Sequence, residues 1–167
     1  MSWERLNNLV GALGVALADG QRRAMGEASG LAETEAAAVN VIGHAPGRSI
    51  ASVRSALAIT HPGTVRVVDR LVVRGLVERR AGADGRTVGL HLTPAGQEAF
   101  AAQALAREDW LAPFADALGP EGEAVLERLL ALTRGTEDDG EHLCRLCDER
   151  VCPQDRCPVT LAVGADP

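Results

Sequence analysis

The sequence contains neither lysine nor tyrosine, and only two tryptophans and two phenylalanines occur among its 167 residues. All 17 basic residues are therefore arginine, which we attribute to coding bias because folding physics makes no such demand. The scarcity of aromatic side chains leaves no indication of which small molecule a pocket would hold. The sequence also lacks a Ser-His-Asp array, a phosphate-binding glycine loop and a His-Glu-x-x-His motif, so it offers little support for an enzyme.

Long hydrophobic runs are also missing. The apolar run at residues 9–18 is too short to cross a bilayer. Glu4 and Arg5 leave the segment before it without net positive charge, whereas a secretory signal begins with basic residues. Leucines in residues 3–26 recur at helical spacing, which predicts an amphipathic helix. We therefore expect a cytoplasmic protein with no membrane partner, whose cysteines are reduced or metal-bound rather than disulfide-linked.

Charge is distributed unevenly along the chain. The formal net charge is −6, but residues 44–92 hold eight arginines and three acidic residues, so this segment carries +5 and the remainder −11. A basic module inside an acidic scaffold indicates a nucleic-acid partner.

The basic module reads as a helix followed by a hairpin. Pro62 suits the first turn of a helix and Gly75 suits its end. Val65, Val68, Leu71 and Val72 fall on one side of that helix at 100° per residue, and three arginines fall broadly on the other. Two short strands, 77–80 and 87–92, then flank a polar tip, and a long helix begins at residues 93–94. The sequence thus predicts a mainly α fold with a small β-hairpin wing.

These residues resemble the MarR family of winged helix-turn-helix regulators. The resemblance covers 31–100 and is carried by the stretches TVRVVDRLVVRGLVERR, DGR and VGLHLTPAG. The family's Asp-x-Arg wing signature matches Asp84 and Arg86, its typical leucine matches Leu71, and its Gly-Leu-Val matches residues 75–77.

The resemblance implies a homodimer whose N- and C-terminal helices interlock. It divides the first 140 residues into an N-terminal dimerisation helix (1–30), a winged helix-turn-helix domain (31–95) and C-terminal dimerisation helices (96–140). A cysteine-rich metal-binding or redox tail (141–167) follows, which the resemblance does not explain. It implies a transcription regulator, most often a repressor, that binds a pseudo-palindromic operator on double-stranded DNA. Its half-sites would lie about 10 base pairs apart. A small-molecule effector would bind between the dimer helices and the DNA module.

Candidate DNA contacts follow from side-chain chemistry. Arg66 lies in the half of a recognition helix that reads bases, and arginine binds guanine bidentately. Arg86 at the wing tip would reach the minor groove, oriented by Asp84. Shorter or flanking side chains would contact phosphates or thymine methyls. The complete predicted set is Ser52, Arg54, Thr60, His61, Thr64, Arg66, Arg70, Arg79, Arg80, Asp84 and Arg86.

Alternatives exist for the helix arginines. An arginine stripe is commonly just the solvated face of an amphipathic helix. Asp69 could form an ion pair with Arg70, and the C-terminus of the helix could attract Arg74. The local charge and the wing signature favour DNA binding over this reading.

Four cysteines occur only near the C-terminus: Cys144, Cys147, Cys152 and Cys157. Their pattern, C-x2-C-x4-C-x4-C, resembles a zinc knuckle with a fourth cysteine but without its glycines, so zinc is the first predicted cofactor. An iron–sulfur cluster is the alternative. A thiol switch is a third possibility, because Arg145, Arg150 and Arg156 would favour thiolates, and incidental thiols are a fourth. A competing hypothesis is therefore a metal- or redox-sensing regulator whose cysteine cluster controls DNA binding.

Overall fold

The computed structural model describes residues 2–81, 88–133, 137–148, 150–152 and 157–159. Within these ranges the chain is mainly helical with one antiparallel hairpin, which confirms the predicted fold class. The elements are α1 (Trp3–Ser29), α2 (Glu33–His44), α3 (Ile50–Leu57), α4 (His61–Val73), β1 (Val77–Ala81), β2 (Val88–Leu92), α5 (Pro94–Leu118), α6 (Gly122–Leu130) and α7 (Glu137–Cys144).

Local capping residues set several helix ends. The side chains of Ser49, Thr60 and Thr93 each accept a backbone N–H three residues later, at 3.2, 3.3 and 3.1 Å, and so begin α3, α4 and α5. After α4, Gly75 adopts a φ of 70°, a left-handed conformation that glycine accepts without steric cost. The helix end predicted at Gly75 and the helix start predicted at residues 93–94 are confirmed.

The core is built around α2, which contacts α1, α3, α4, α5 and β2. Small side chains at Ala36, Ala37 and Ala38 are buried and let the neighbouring helices approach closely. The face of α4 that enters this core consists of Thr64, Val67, Val68 and Leu71. Val72 is partly buried and packs against the core as predicted, whereas the prediction that Val65 belongs to this face is wrong, because Val65 is only partly buried and is not part of the core cluster.

The hairpin is attached to the helices at its base. Val77 pairs with Leu92, and Arg79 pairs with Leu90. Leu90 also bridges to the loop before α3: its N–H donates to the Arg48 carbonyl at 2.9 Å, and its carbonyl accepts from Gly47 at 2.8 Å. The wing is therefore hydrogen-bonded directly to the loop that begins α3.

The long terminal helices α1 and α5 pack against each other. A Cβ at Gly20 would lie 2.0 Å from the Trp110 ring, so glycine is required at this close approach. Large apolar side chains remain exposed on α1 and α6: Leu9, Val10, Leu13, Val15, Leu126, Leu129 and Leu130. In the described ranges, no helix combines the length and apolarity that a bilayer crossing demands.

The acidic segment before the cysteines forms a helix over Glu137–Cys144. This helix, α7, packs against α3. Leu146, just beyond its end, is buried in the main core cluster. The C-terminal segment is consequently attached to the helix-turn-helix rather than projecting from it.

Candidate nucleic-acid interface and cysteine segment

Four predicted contact residues on α3 and α4 are exposed. Arg54 lies on α3, His61 and Arg66 lie on the first two turns of α4, and Arg70 lies on its third turn. No carboxylate in the described part of the chain forms an ion pair with Arg54 or Arg66. Both guanidinium groups are therefore open to an external anion. Thr60 is exposed as well, but its hydroxyl caps α4.

Thr64 is a correction to the predicted interface. Its side chain is fully buried, and its Oγ1 donates to the Thr60 carbonyl at 3.1 Å. A hydroxyl in that position stabilises the first turn of α4 and does not reach an external phosphate or base.

Arg70 and Arg74 bind an acid that the sequence analysis did not identify. Arg70 Nε lies 2.6 Å from Glu35 Oε1, and Arg74 Nη1 lies 3.2 Å from Glu35 Oε2. Arg74 also donates to the Gly30 carbonyl at 3.0 Å. These bonds attach the C-terminal half of α4 to the start of α2. The prediction of Arg70 as a DNA contact is thus replaced by a structural role.

The wing arginines are also paired. Arg79 Nη2 lies 2.7 Å from Asp69 Oδ1 on α4, and Arg80 binds Glu78 within its own strand. Asp69 was predicted as a partner for Arg70, but it instead connects the recognition helix to the wing. Asp84 and Arg86 lie outside the described residues.

Ser52 belongs to a small polar network that the sequence analysis missed. Its hydroxyl accepts from Arg48 Nη1 at 3.2 Å, and the same Nη1 lies 3.1 Å from Glu141 Oε1 on α7. The ion pair joins residues 93 positions apart, so no local pattern in the sequence could have revealed it. The clustering of acids in α7 was the one available signal.

The segment after α7 is held by α2 and α3. The buried Asn40 Nδ2 donates to the carbonyls of Arg145 and Cys147, at 3.0 and 3.1 Å. A His142 ring nitrogen lies 3.1 Å from the Ala56 carbonyl. With Leu146 in the core, these contacts satisfy backbone groups that burial would otherwise leave unpaired.

The four cysteine thiols lie close enough to influence one another. A hydrogen bond with Cys147 raises the pKa of Cys144 well above the usual range, and burial and the other thiols raise it further. Burial, followed by the charges of Cys147 and Cys157, raises the pKa of Cys152. This arrangement disfavours thiolates unless a cation accompanies them.

The expectation that nearby arginines promote thiolates is wrong for Arg150. Its Nη2 lies 2.6 Å from Asp148 Oδ2, and its guanidinium lies 5.9 Å from the Phe100 ring centroid. That hydrogen bond from Arg150 lowers the pKa of Asp148 to about 2. Arg156 lies outside the described residues. Arg145 donates to the His142 carbonyl.

The thiols fit zinc in their chemistry but not in their present positions. Four sulfur donors are the set that structural zinc prefers. Across the described ranges, however, no three His, Cys, Asp or Glu side chains converge as metal ligands. Metal binding would have to draw the cysteine side chains together.

A cleft of about 820 Å³ separates α5 from α2 and the cysteine segment. Phe100 and Arg107 line it from α5, His44 from α2, and Cys147 and Arg150 from the segment. The cleft therefore has apolar and charged walls, and one of its walls is the C-terminal segment itself.

Comparison with known proteins gives a consistent picture. The sequence model of the MarR family matches residues 29–87. A crystal structure of a MarR family transcription regulator superimposes with a TM-score of 0.67 at 24% identity, covering 78% of this chain and 89% of its own. No curated protein matches the chain.

Two similar structures contain DNA. Streptococcus pneumoniae FabT in complex with DNA has a TM-score of 0.61 at 20% identity, with 77% of this chain and 92% of FabT covered. A mutant MarR from E. coli complexed with operator DNA has a TM-score of 0.56 at 21% identity, with coverages of 78% and 96%.

Proposed function

We propose that this chain, which has the winged helix-turn-helix fold of MarR family regulators, is a DNA-binding transcription regulator. The observation that carries the proposal is a pair of arginines on adjacent helices of the module, Arg54 and Arg66, that form no ion pair within the described residues. Arg70, Arg74, Arg79 and Arg80 are also partly exposed but are bound to acids, so the lack of an acid partner at Arg54 and Arg66 indicates an anion-binding face. FabT and MarR, whose folds are similar, are seen with DNA.

In this proposal Arg66 enters the major groove and Arg54 binds a backbone phosphate. A homodimer presents two such modules to a pseudo-palindromic operator. The apolar faces of α1 and α6 support dimerisation, because exposed patches of this kind mark protein interfaces. Repression follows where the operator overlaps a promoter. A small-molecule effector would occupy the cleft beside α5 and change the spacing of the modules.

The test begins by selecting genomic DNA fragments that the full-length protein retains. On a selected fragment, Arg66→Ala should weaken binding about 5- to 150-fold, the value of one good base contact. Arg54→Ala should weaken binding to all fragments alike and reduce the salt slope by about 1. Arg23→Ala is the matched control, because Arg23 is exposed on α1 and its replacement removes the same positive charge from the protein. If both interface variants bind at wild-type strength with the dimer intact, the proposal is wrong.

A second candidate function is metal-dependent control of DNA binding. Four thiols that repel one another as thiolates would gain from a shared cation, and they lie on a segment attached to α2 and α3. Zinc held by Cys144, Cys147, Cys152 and Cys157 is the first choice, and an iron–sulfur cluster is the alternative.

Elemental analysis and a visible spectrum of protein purified anaerobically distinguish these cofactors. Stoichiometric zinc in colourless protein supports the first, and iron with visible absorbance supports the second. Protein that is free of metal under these conditions contradicts both. Serine replacements that leave DNA affinity unchanged separate a structural metal from a regulatory one.

A further inference from the structure

Arg48 occupies a distinctive position at the start of α3. It precedes the capping residue Ser49, and its guanidinium lies beside Ser52 on the first turn of the helix. The N-terminal turn of a helix is favourable for phosphates, because its free N–H groups and dipole attract anions. Arg48 therefore lies where a third arginine, in addition to Arg54 and Arg66, could bind a DNA phosphate. This position is next to the predicted phosphate contact at Ser52.

In this structure Arg48 is instead bound to Glu141. The two side chains are only 22% and 33% exposed, so the ion pair is partly shielded from solvent. Glu141 belongs to α7, whose sequence, EDDGEHLC, contains four carboxylates and no arginine or lysine. The acidic helix α7 therefore packs against α3, the helix whose Arg54 is proposed to bind a DNA phosphate.

We propose that α7 competes with DNA for Arg48: Glu141 holds the guanidinium, and a backbone phosphate takes it only when that ion pair opens. The proposal rests on the proposed DNA binding and adds a regulatory contact to the same site. A carboxylate on a tethered helix is a strong competitor, because tethering gives it a high effective concentration. Asn40, Leu146 and His142 supply the tether.

The ion pair makes its effect measurable through salt dependence. Each protein cation that neutralises a phosphate adds about 0.9 to the slope of log affinity against log salt concentration. Freeing Arg48 should therefore steepen the slope, whereas a general change in protein stability would not. The slope reports the number of phosphate contacts independently of the absolute affinity.

The experiment uses full-length Glu141→Gln on a selected fragment, with anisotropy titrations at several potassium chloride concentrations. We expect about three- to tenfold tighter binding at low salt and a slope steeper by about 0.9 per released arginine. Adding Arg48→Gln to Glu141→Gln should abolish the gain in both affinity and slope. Glu98→Gln, an exposed acid on α5 without an ion pair in the described residues, controls for net charge.

The outcomes separate the two proposals. If Glu141→Gln matches wild type in affinity and slope while Arg66→Ala weakens binding, the competition is refuted and the DNA-binding function stands. If Glu98→Gln reproduces the gain, the effect is one of net charge, and the competition is again refuted. If the wild-type protein retains no DNA fragment, the proposed DNA-binding function is refuted, and the competition for Arg48 is refuted as well.

Discussion

Replacing Glu35 by glutamine should loosen the recognition helix. The Glu35 side chain is 7% exposed and accepts from Arg70 Nε at 2.6 Å and from Arg74 Nη1 at 3.2 Å. Glutamine keeps the volume but removes the charge and offers an N–H₂ group to one guanidinium. The change therefore tests whether these two bonds hold α4 against α2.

The expected magnitude follows from burial. A hydrogen bond to a charged group contributes about 1.5–3 kcal/mol. The Arg70 and Arg74 side chains are 54% and 43% exposed, so water screens both bonds and replaces part of each. We expect the free energy of unfolding to fall by about 2 kcal/mol, which is less than the roughly 3 kcal/mol that two unscreened bonds would contribute at the lower limit. For a chain of this length that corresponds to a Tm lower by about 4–8 °C.

Glu33→Gln provides the matched control. Glu33 lies two residues earlier on α2 and pairs with Arg22 at 2.9 Å, but its side chain is 58% exposed. An exposed pair of this kind contributes about 0–1 kcal/mol. Urea unfolding at one fixed dimer concentration measures both variants against wild type. If Glu35→Gln unfolds within about 0.5 kcal/mol of Glu33→Gln, the two arginines do not anchor α4 and our correction of Arg70 is unjustified.

Two further variants test the C-terminal segment and the end of α4. Leu146→Ala removes a buried side chain from the core and should weaken the packing of the C-terminal segment on the core by about 2–5 kcal/mol. We expect faster hydrogen exchange in residues 137–148 while the amides of α4 keep their protection. If exchange accelerated equally in both regions, the segment would not pack as a separate unit. Gly75→Ala places a side chain at a φ of 70° and should lower the free energy of unfolding by about 1 kcal/mol. Gly11 lies in α1 with open space around it, so Gly11→Ala should raise the free energy of unfolding by about 0.5–1 kcal/mol, because alanine favours the helix over glycine. Equal thermal shifts for the two alanine variants would show that the left-handed conformation is not what selects glycine at 75.

The docking of the C-terminal segment changes how the two proposed functions relate. The family match ends at residue 87, yet Asn40 within it binds carbonyls of the cysteine segment. Cys147 also lines the cleft beside α5. A ligand in the cleft or a metal on the thiols would therefore act on the same docked segment. Glu141 lies on α7, the helix that leads into that segment. Binding of a ligand or a metal could therefore change the ion pair between Glu141 and Arg48.

Short-range rules predicted much of the fold. The caps at Ser49 and Thr93, the stop at Gly75 and the hairpin pairing depend on hydrogen bonds and backbone conformations within a few residues. The exposed position of Arg66 followed from helical periodicity in the same way. These features need no knowledge of what lies across the core.

The burial of α4 was only partly predictable. Val68 and Leu71 are buried as predicted and Val72 packs against the core, but the buried face of α4 is rotated slightly, so that Thr64 and Val67 enter the core and Val65 does not. A threonine can occupy such a position because its hydroxyl bonds to the carbonyl four residues earlier, which removes the cost of burying it. The rotation is decided by the surface of α2 against which α4 packs.

The sequence by itself determined where several of the elements begin and end and that a basic module lies within an acidic chain. Only the tertiary structure decided which arginines remain free. Arg70 and Arg74 reach Glu35 across 35 and 39 residues, and Arg48 reaches Glu141 across 93. Arginine side chains are long enough to bind any acid that packing brings near them. Their partners therefore depend on how the helices pack, which spacing along the chain does not encode.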